Sequence, residues 1–245
     1  MKFITHQLRT PSFAAFLLLC VGCFALSVAR CFMSGSGHFL FLNWNLCLAG
    51  IPLLLSSLLI YNENITKTKL FLLLPMWLLF FPNAPYILTD LFHLGVVNSM
   101  PKWFDLMMIL LFAWTGLFAG FKSLQHIQSM LAKFMTRRNA VLVIVFLLYI
   151  AAFGVYIGRF ERWNSWDILV NPLAVLGDVA EKFIHPFDHG STWGVTFMLG
   201  TLLNVIWFSI RLMQEPRTVR IRKTAPVQEM KVAEAAPETQ THSAA

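Results

Sequence analysis

The chain alternates between long apolar runs and short polar stretches. A helix needs about 20 apolar residues to cross the roughly 30 Å hydrocarbon core of a bilayer, and each run has or approaches that length. The runs cover Phe13–Ala29, Trp44–Tyr61, Leu70–Leu88, Trp103–Phe121, Ala140–Ile157 and Trp193–Leu212. The pattern therefore predicts an all-α, multi-pass transmembrane bundle of about six helices, with the transmembrane domain over residues 1–213.

The third run is interrupted by prolines. If its helix begins at Leu70, Pro82 lies roughly 18 Å above the inner edge and still inside the hydrocarbon, since each residue adds ~1.5 Å. Pro82 and Pro85 remove two backbone donors and free the carbonyls that these would have bonded. Such a break is tolerated at membrane depth only where protein or a water-filled cavity satisfies it, and transporters build binding sites there. The alternative is a kinked helix end whose polar residues meet water.

Two further segments are not spans. Asn171–Pro172 is typical of a helix start, and the roughly 13 residues that follow suit a helix lying in the outer interface. The apolar stripe of this helix consists of Leu173, Leu176, Ala180, Phe183 and Ile184. Residues 214–245, rich in Ala, Pro, Glu, Thr and Gln, predict a disordered cytoplasmic tail. Its basic start, Arg217–Lys223, either attracts anionic lipid headgroups or only carries the stop-transfer charge of the last helix.

Composition and charge support this topology. The chain is 57% hydrophobic and only 13% charged, which excludes an ordinary soluble enzyme. The net charge of +7 does not indicate a nucleic-acid ligand, because membrane proteins keep Lys and Arg in cytoplasmic loops. With the N-terminus inside, 14 of the 19 Lys and Arg residues fall in inner segments and 5 in outer ones, so both termini are expected in the cytoplasm. Alternatively, the first run is a signal peptide with a cleavage-like site at Ser27–Ala29.

Two polar motifs fall on the predicted outer side. After the prolines, Tyr86, Thr89, Asp90 and His93 are spaced to share one face of a continuing helix. After the fifth run, the motif carries arginines, whose planar guanidinium suits a carboxylate or phosphate. The predicted ligand-binding residues are Asn83, Tyr86, Asp90, His93, Arg159, Glu161, Arg162 and Asp167. The alternative for the second motif is an interfacial girdle of Trp and Arg, with Glu161 and Asp167 as local ion partners.

Other chemistry has weaker support. No cofactor is expected, since the chain has no phosphate loop or dinucleotide fingerprint. No metal site is predicted either, although His185, Asp188 and His189 could join Asp90 and His93 in one. Asp90 and His93 could equally form a proton relay.

Three remaining features concern helix packing. The pairs Gly116/Gly120 and Gly154/Gly158 allow close helix approach and make an oligomer possible. The first pair is expected near the inner end of its helix. Asp105 is expected to be interfacial.

Both motifs resemble those of DUF1361, an uncharacterised family of bacterial integral membrane proteins. The resemblance rests on Phe81–Tyr86 with Thr89–Leu91, and on Tyr156–Phe160 with Arg162–Asp167. It extends over most of the chain between the second and sixth runs. It implies a multi-pass protein of the bacterial inner membrane and brings no known activity and no catalytic residue.

Three functions remain open from the sequence. The leading hypothesis is binding or transport of a small solute or lipid headgroup at a polar pocket that faces the periplasm. The second is a membrane enzyme acting on a lipid-linked substrate, with Asp90, His93 or Glu161 as acid or base. The third is a structural or assembly partner of a membrane complex.

Overall fold

The computed structural model describes residues 11–60, 66–96 and 100–214. The chain divides into two compact units, residues 1–209 and 210–245. Of the second unit, the structure describes only the end of the last helix, Ile210–Gln214. The predicted tail beyond Gln214, with its basic start Arg217–Lys223, lies outside the described residues.

Within these ranges the secondary structure is helical, and no strand occurs there. The elements are α1 (Pro11–Ser34), α2 (Phe41–Ile60), α3 (Lys67–Phe80), α4 (Asn83–Tyr86), a 3₁₀ helix (Ile87–His93), α5 (Lys102–Leu131), α6 (Arg137–Phe160), α7 (Asp167–Val170), α8 (Pro172–Ile184) and α9 (Gly190–Gln214). In the part of the chain searched, six segments are long and apolar enough to span a membrane: α1, α2, the third span Lys67–His93, α5, α6 and α9. The predicted all-α bundle of six spans is confirmed.

The third span starts earlier than predicted. Its helix begins at Lys67 instead of Leu70, because the Thr66 hydroxyl accepts a hydrogen bond from the Lys69 amide at 3.3 Å. This cap satisfies one of the four amides that a helix start leaves free. The two lysines do not prevent the helix, since a long lysine side chain can carry its charge to the interface.

Helix α5 is the central helix of the bundle. It contacts α1, α2, the third span and α6, and its buried face includes Met108, Ile109 and Phe112, which pack in one core with Leu42 and Leu46 of α2. Its 30 residues make it about 45 Å long at ~1.5 Å per residue. The predicted apolar run Trp103–Phe121 is therefore only part of this helix, which continues to Leu131.

A buried ion pair joins α1 to α5. Arg30 Nε lies 2.7 Å from Asp105 Oδ1, and Arg30 Nη2 lies 3.2 Å from Asp105 Oδ2. The guanidinium carbon also lies 4.2 Å from the centre of the Phe39 ring. Asp105, expected at the interfacial end of its helix, lies in the first turn of α5 and is buried in the bundle, with an exposure of 1%. A two-point, charge-assisted pair is what makes two buried charges tolerable here.

Helix α8 follows the predicted pattern at its start and on its apolar side. Pro172 is its first residue and the helix has 13 residues. Most of the predicted apolar stripe is exposed in the protein, as a helix resting in the lipid interface requires. These exposed side chains are Leu173, Leu176, Phe183 and Ile184. The side chain of Asn171 makes no capping hydrogen bond, so the proline alone marks the start.

Both glycine pairs pack against the proline break of the third span. A Cβ atom at Gly116 of α5 would lie 2.8 Å from the carbonyl oxygen of Ala84, and one at Gly154 of α6 would lie 2.7 Å from Pro82 Cγ. Gly120 has a similar contact with the Cβ of Ala84. The first pair lies in the middle of α5, because that helix is longer than predicted. The glycines thus serve packing within the chain, and two helices approach the break from different sides.

Gly116→Ala should destabilise the protein, because the new methyl group meets a backbone oxygen that cannot move alone. We expect a loss of about 1–3 kcal/mol, typical of overpacking. The matched control is Gly194→Ala in α9, where nothing lies within 4 Å of the added Cβ. This control should be neutral or gain up to about 1 kcal/mol. Unfolding in mixed micelles measures both, and equal effects would contradict the close approach of α5.

Candidate functional site

Side chains bond two carbonyls in the last turn of α3, next to the proline break. Helix α3 ends at Phe80, whose carbonyl accepts a hydrogen bond from Asn83 Nδ2 at 2.9 Å. The carbonyl of Leu79 accepts one from the Ser165 hydroxyl at 3.0 Å, and Asn83 Nδ2 also lies 3.1 Å from that hydroxyl oxygen. Ser165 belongs to the segment after α6. The second polar motif therefore supports the backbone of the first, as a break inside the membrane requires.

Arg159 is the centre of a polar cluster beyond the break. Its Nη2 lies 3.1 Å from Asp90 Oδ1 and also donates to the carbonyl of Thr89. Its Nη1 donates to the hydroxyl of Tyr86 at 3.2 Å, and its Nη2 lies 3.3 Å from His93 Nδ1. The structure thus brings the predicted residues Tyr86, Asp90, His93 and Arg159 together. Their common face on the third span is confirmed, because each of the three contacts the same guanidinium.

Asn45 completes the cluster from a third element. Its Nδ2 donates to Asp90 Oδ2 at 2.9 Å, so both oxygens of this fully buried carboxylate have partners. Asn45 lies in the first turns of α2, which makes the cluster a link between the second, third and fifth spans. The sequence analysis missed it. The available signal was an amide inside an otherwise apolar run, at a depth where an amide needs a partner.

A cavity of about 410 Å³ opens beside the cluster. Its lining residues are Tyr86, Phe92, His93, Gly158, Arg159, Arg162 and Asn164. The volume lies within the range of small-molecule sites, about 300–1,000 Å³. Five of these seven side chains are polar or charged, so the cavity suits a polar ligand.

Arg162 holds an unusual backbone conformation at this cavity. Its φ of 63° is the one positive φ among the described residues that are not glycine. The left-handed conformation costs an L-residue roughly 1–2 kcal/mol, and glycine adopts it freely. The side chain of Arg162 is exposed and forms no hydrogen bond or ion pair with any residue that the structure describes. An arginine kept where glycine is favoured points to a use for its charge.

Four predicted ligand residues do not line the cavity: Asn83, Asp90, Glu161 and Asp167. Asn83 bonds the end of α3 and Asp90 bonds Arg159, as described above. Glu161 Oε1 lies 3.1 Å from Lys182 Nζ of α8. Asp167 Oδ2 accepts hydrogen bonds from the backbone amide and the side-chain amide of Asn164, at 2.6 and 3.1 Å. Both carboxylates thus bond local partners outside the cavity.

Helix α8 is fixed to the loop by a buried lysine. Lys182 Nζ lies 2.7 Å from Asp178 Oδ1, and the indole of Trp163 donates to Asp178 Oδ2 at 2.8 Å. Burial would raise the pKa of Asp178, but the hydrogen bonds from Lys182 and Trp163 outweigh it and lower that pKa. Burial would likewise lower the pKa of Lys182, but its bonds to Asp178 and Glu161 raise it above its ordinary value. Both groups therefore stay charged at neutral pH.

The alternative metal site finds no geometric support. Among the described residues, no group of three or more His, Cys, Asp and Glu side chains is placed to hold a metal ion. His185, Asp188 and His189 follow the end of α8, whereas Asp90 and His93 are occupied by the Arg159 cluster.

The six spans and the polar cluster define a multi-pass membrane protein with a polar site at one end of its bundle. A family model described as protein of unknown function (DUF1361) matches residues 44–206. The chain belongs to this family. No curated protein and no solved structure matches the chain. The matched range contains the proline break, the Arg159 cluster and α8.

The Asp90–Arg159 pair should show strong energetic coupling. Removing one charge leaves the other buried and unpaired, so Asp90→Asn and Arg159→Gln should each cost about 3 kcal/mol of unfolding free energy. The double variant should cost about 2 kcal/mol less than the sum, because it removes both charges. Arg162→Gln is the control and should change stability by less than about 0.5 kcal/mol. Additive losses in the cycle, measured by unfolding in mixed micelles, would contradict the pairing.

Proposed function

We propose that this protein binds, and in doing so transports or presents, an anionic small solute or lipid headgroup at the polar cavity. The observation that carries the proposal is Arg162, a cation without a described partner, held in a strained backbone conformation at the cavity wall. Strain of this kind persists where the surrounding structure maintains it, and it clusters at ligand sites.

The charges of the cavity favour an anion. The charge of Arg159 is balanced by Asp90 at 3.1 Å, while that of Arg162 is not balanced by a described neighbour. Tyr86, His93 and Asn164 add hydrogen-bonding groups around the two arginines. Guanidinium groups present paired N–H donors that match carboxylate and phosphate oxygens. The predicted binding residues retained in this proposal are Tyr86, His93, Arg159 and Arg162, with Asp90 holding Arg159 and Asn83 supporting the break.

Catalysis has less support from the same geometry. A general base needs a free oxygen or nitrogen within reach of its substrate. Both oxygens of Asp90 are hydrogen-bonded to Asn45 and Arg159, and Glu161 is paired with Lys182. His93 is the one predicted acid or base at the cavity wall. A role as an assembly partner has no specific contact in its favour.

We infer the topology from the positions of the basic residues. Lys122, Lys133, Arg137 and Arg138 lie at the end of α5 and the start of α6, and the cavity lies at the opposite end of α6. With basic loops inside, the cavity faces the periplasm of a bacterial inner membrane and both termini lie in the cytoplasm. We also propose that Arg217–Lys223 contacts anionic lipids and that the protein can form an oligomer.

Reporter fusions test this topology. Alkaline phosphatase, which is active only in the periplasm, should be inactive when fused to the C-terminus and active when inserted after Gly35, in the loop between α1 and α2. A fluorescent protein that folds in the cytoplasm should give the reverse pattern. Phosphatase activity at the C-terminus would overturn the proposed orientation.

Arg162→Gly separates binding from stability. Glycine adopts the left-handed conformation without strain. The free energy of unfolding of the unliganded variant should therefore lie within about 1 kcal/mol of that of the natural protein. Its affinity for inorganic phosphate should fall by about 10- to 100-fold, the value of a lost charged hydrogen bond. Calorimetry on the purified protein measures both.

The control is Arg138→Ala, which removes the same charge from an exposed position at the start of α6. It should bind phosphate as the natural protein does. Unchanged binding in Arg162→Gly, or an equal loss in the control, would overturn the proposed site.

A further inference from the structure

An apolar groove lies next to the polar cavity. It has a volume of about 270 Å³ and shares three lining residues with the cavity: Tyr86, Gly158 and Asn164. Away from these residues its walls are mainly aliphatic and aromatic, and they come from α2, α3, α6 and α8. A polar cavity and an apolar groove thus meet along one short border.

The groove extends from the cavity into the depth of the membrane. Along α6 its wall includes Ile150, Phe153, Gly154, Ile157 and Gly158. From Gly158 to Ile150 is eight residues, or about 12 Å along the helix at ~1.5 Å per residue. The break itself forms the facing wall, through Leu78, Pro82 and Asn83.

The outer end of the groove is covered by the segment after α6. Ile168 of α7 and Val175 and Val179 of α8 contribute to its lining. Trp44 of α2 and Trp166 also line it, and their rings meet edge to face with centroids 6.5 Å apart. Both indoles are partly exposed, at 59% and 38%. Trp side chains of this kind sit at the boundary between lipid headgroups and chains, so the groove borders the layer from which a lipid would enter.

We propose that the ligand is a phosphate-bearing lipid, with its phosphate between Arg162 and Arg159 and its hydrocarbon chain in the groove. This rests on the anion-binding function proposed above and specifies its substrate class. A free anion would use the cavity alone and leave the adjoining apolar wall without a role. An uncharged lipid would make no use of the charge of Arg162 at the cavity wall. An amphiphile uses both surfaces, because its phosphate can bind in the polar cavity while its hydrocarbon chain packs in the adjoining apolar groove.

A chain-length series tests the inference. The probes are inorganic phosphate and n-butyl, n-octyl and n-dodecyl phosphate, titrated into the natural protein in amphipol, with empty amphipol as the blank. Each methylene that enters an apolar groove should tighten binding by up to about fourfold. Affinity should therefore rise with chain length and level off when the groove is full.

A variant that fills the deep end of the groove identifies where the chain lies. Ile150→Trp should leave inorganic phosphate and butyl phosphate unchanged while it weakens octyl and dodecyl phosphate at least tenfold. Unchanged phosphate binding also shows that the variant is folded. The matched control is Leu142→Trp, two turns away on the same helix at a side chain that is 59% exposed, and it should behave as the natural protein does. n-Decanoate and n-decyl phosphate compare the two headgroups, and the phosphate should bind more tightly.

Each result decides between the two proposals. Equal affinity for all phosphates would overturn the lipid and keep the anion site. Chain-dependent affinity that Ile150→Trp does not change would mean that the chain lies elsewhere, and would overturn the groove. Decanoate binding as tightly as decyl phosphate would overturn the phosphate headgroup. If no phosphate binds at all, the proposed function fails together with the inference.

Discussion

The structure depends on one constraint, which is that a backbone interrupted inside a membrane must find its hydrogen bonds within the protein. Pro82 follows α3 and has no amide to continue its hydrogen bonds, so carbonyls in the last turn of α3 need other donors. Ser165 and Asn83 bond the carbonyls of Leu79 and Phe80, and Arg159 bonds that of Thr89. The segment after α6 is therefore held against the third span by a requirement of the main chain, and the polar site forms at that contact.

Close packing and buried charge follow from this contact. Glycines on α5 and α6 let both helices reach the break, since a side chain at Gly116 or Gly154 would collide with it. Arg159 then enters the bundle, and its charge requires the buried Asp90, which Asn45 also bonds. The same rule explains the pair of Arg30 and Asp105, where two charges share one buried site. Arg162 differs, because the turn after α6 leaves it at the cavity without a described counter-charge.

The position of α8 connects the polar site to the lipid. Lys182 holds this helix to Glu161 and Asp178, next to the end of α6. Its apolar stripe remains exposed, while Val175 and Val179 line the groove under it. The protein thus places a charged cavity and an apolar groove side by side. This arrangement favours an amphiphile over a free solute.

The hydrophobic pattern by itself determined the six spans, the break in the third span and the short helix after Pro172, because run length and proline chemistry act locally. It also determined that Tyr86, Asp90 and His93 share a face, since helical spacing is a local property. Only the tertiary structure decided which charges meet. Asn45 and Ser165 join the site from distant parts of the chain, whereas Glu161 bonds Lys182 and Asp167 bonds Asn164. A residue's partner inside a membrane depends on helix packing, which one sequence's periodicity does not encode.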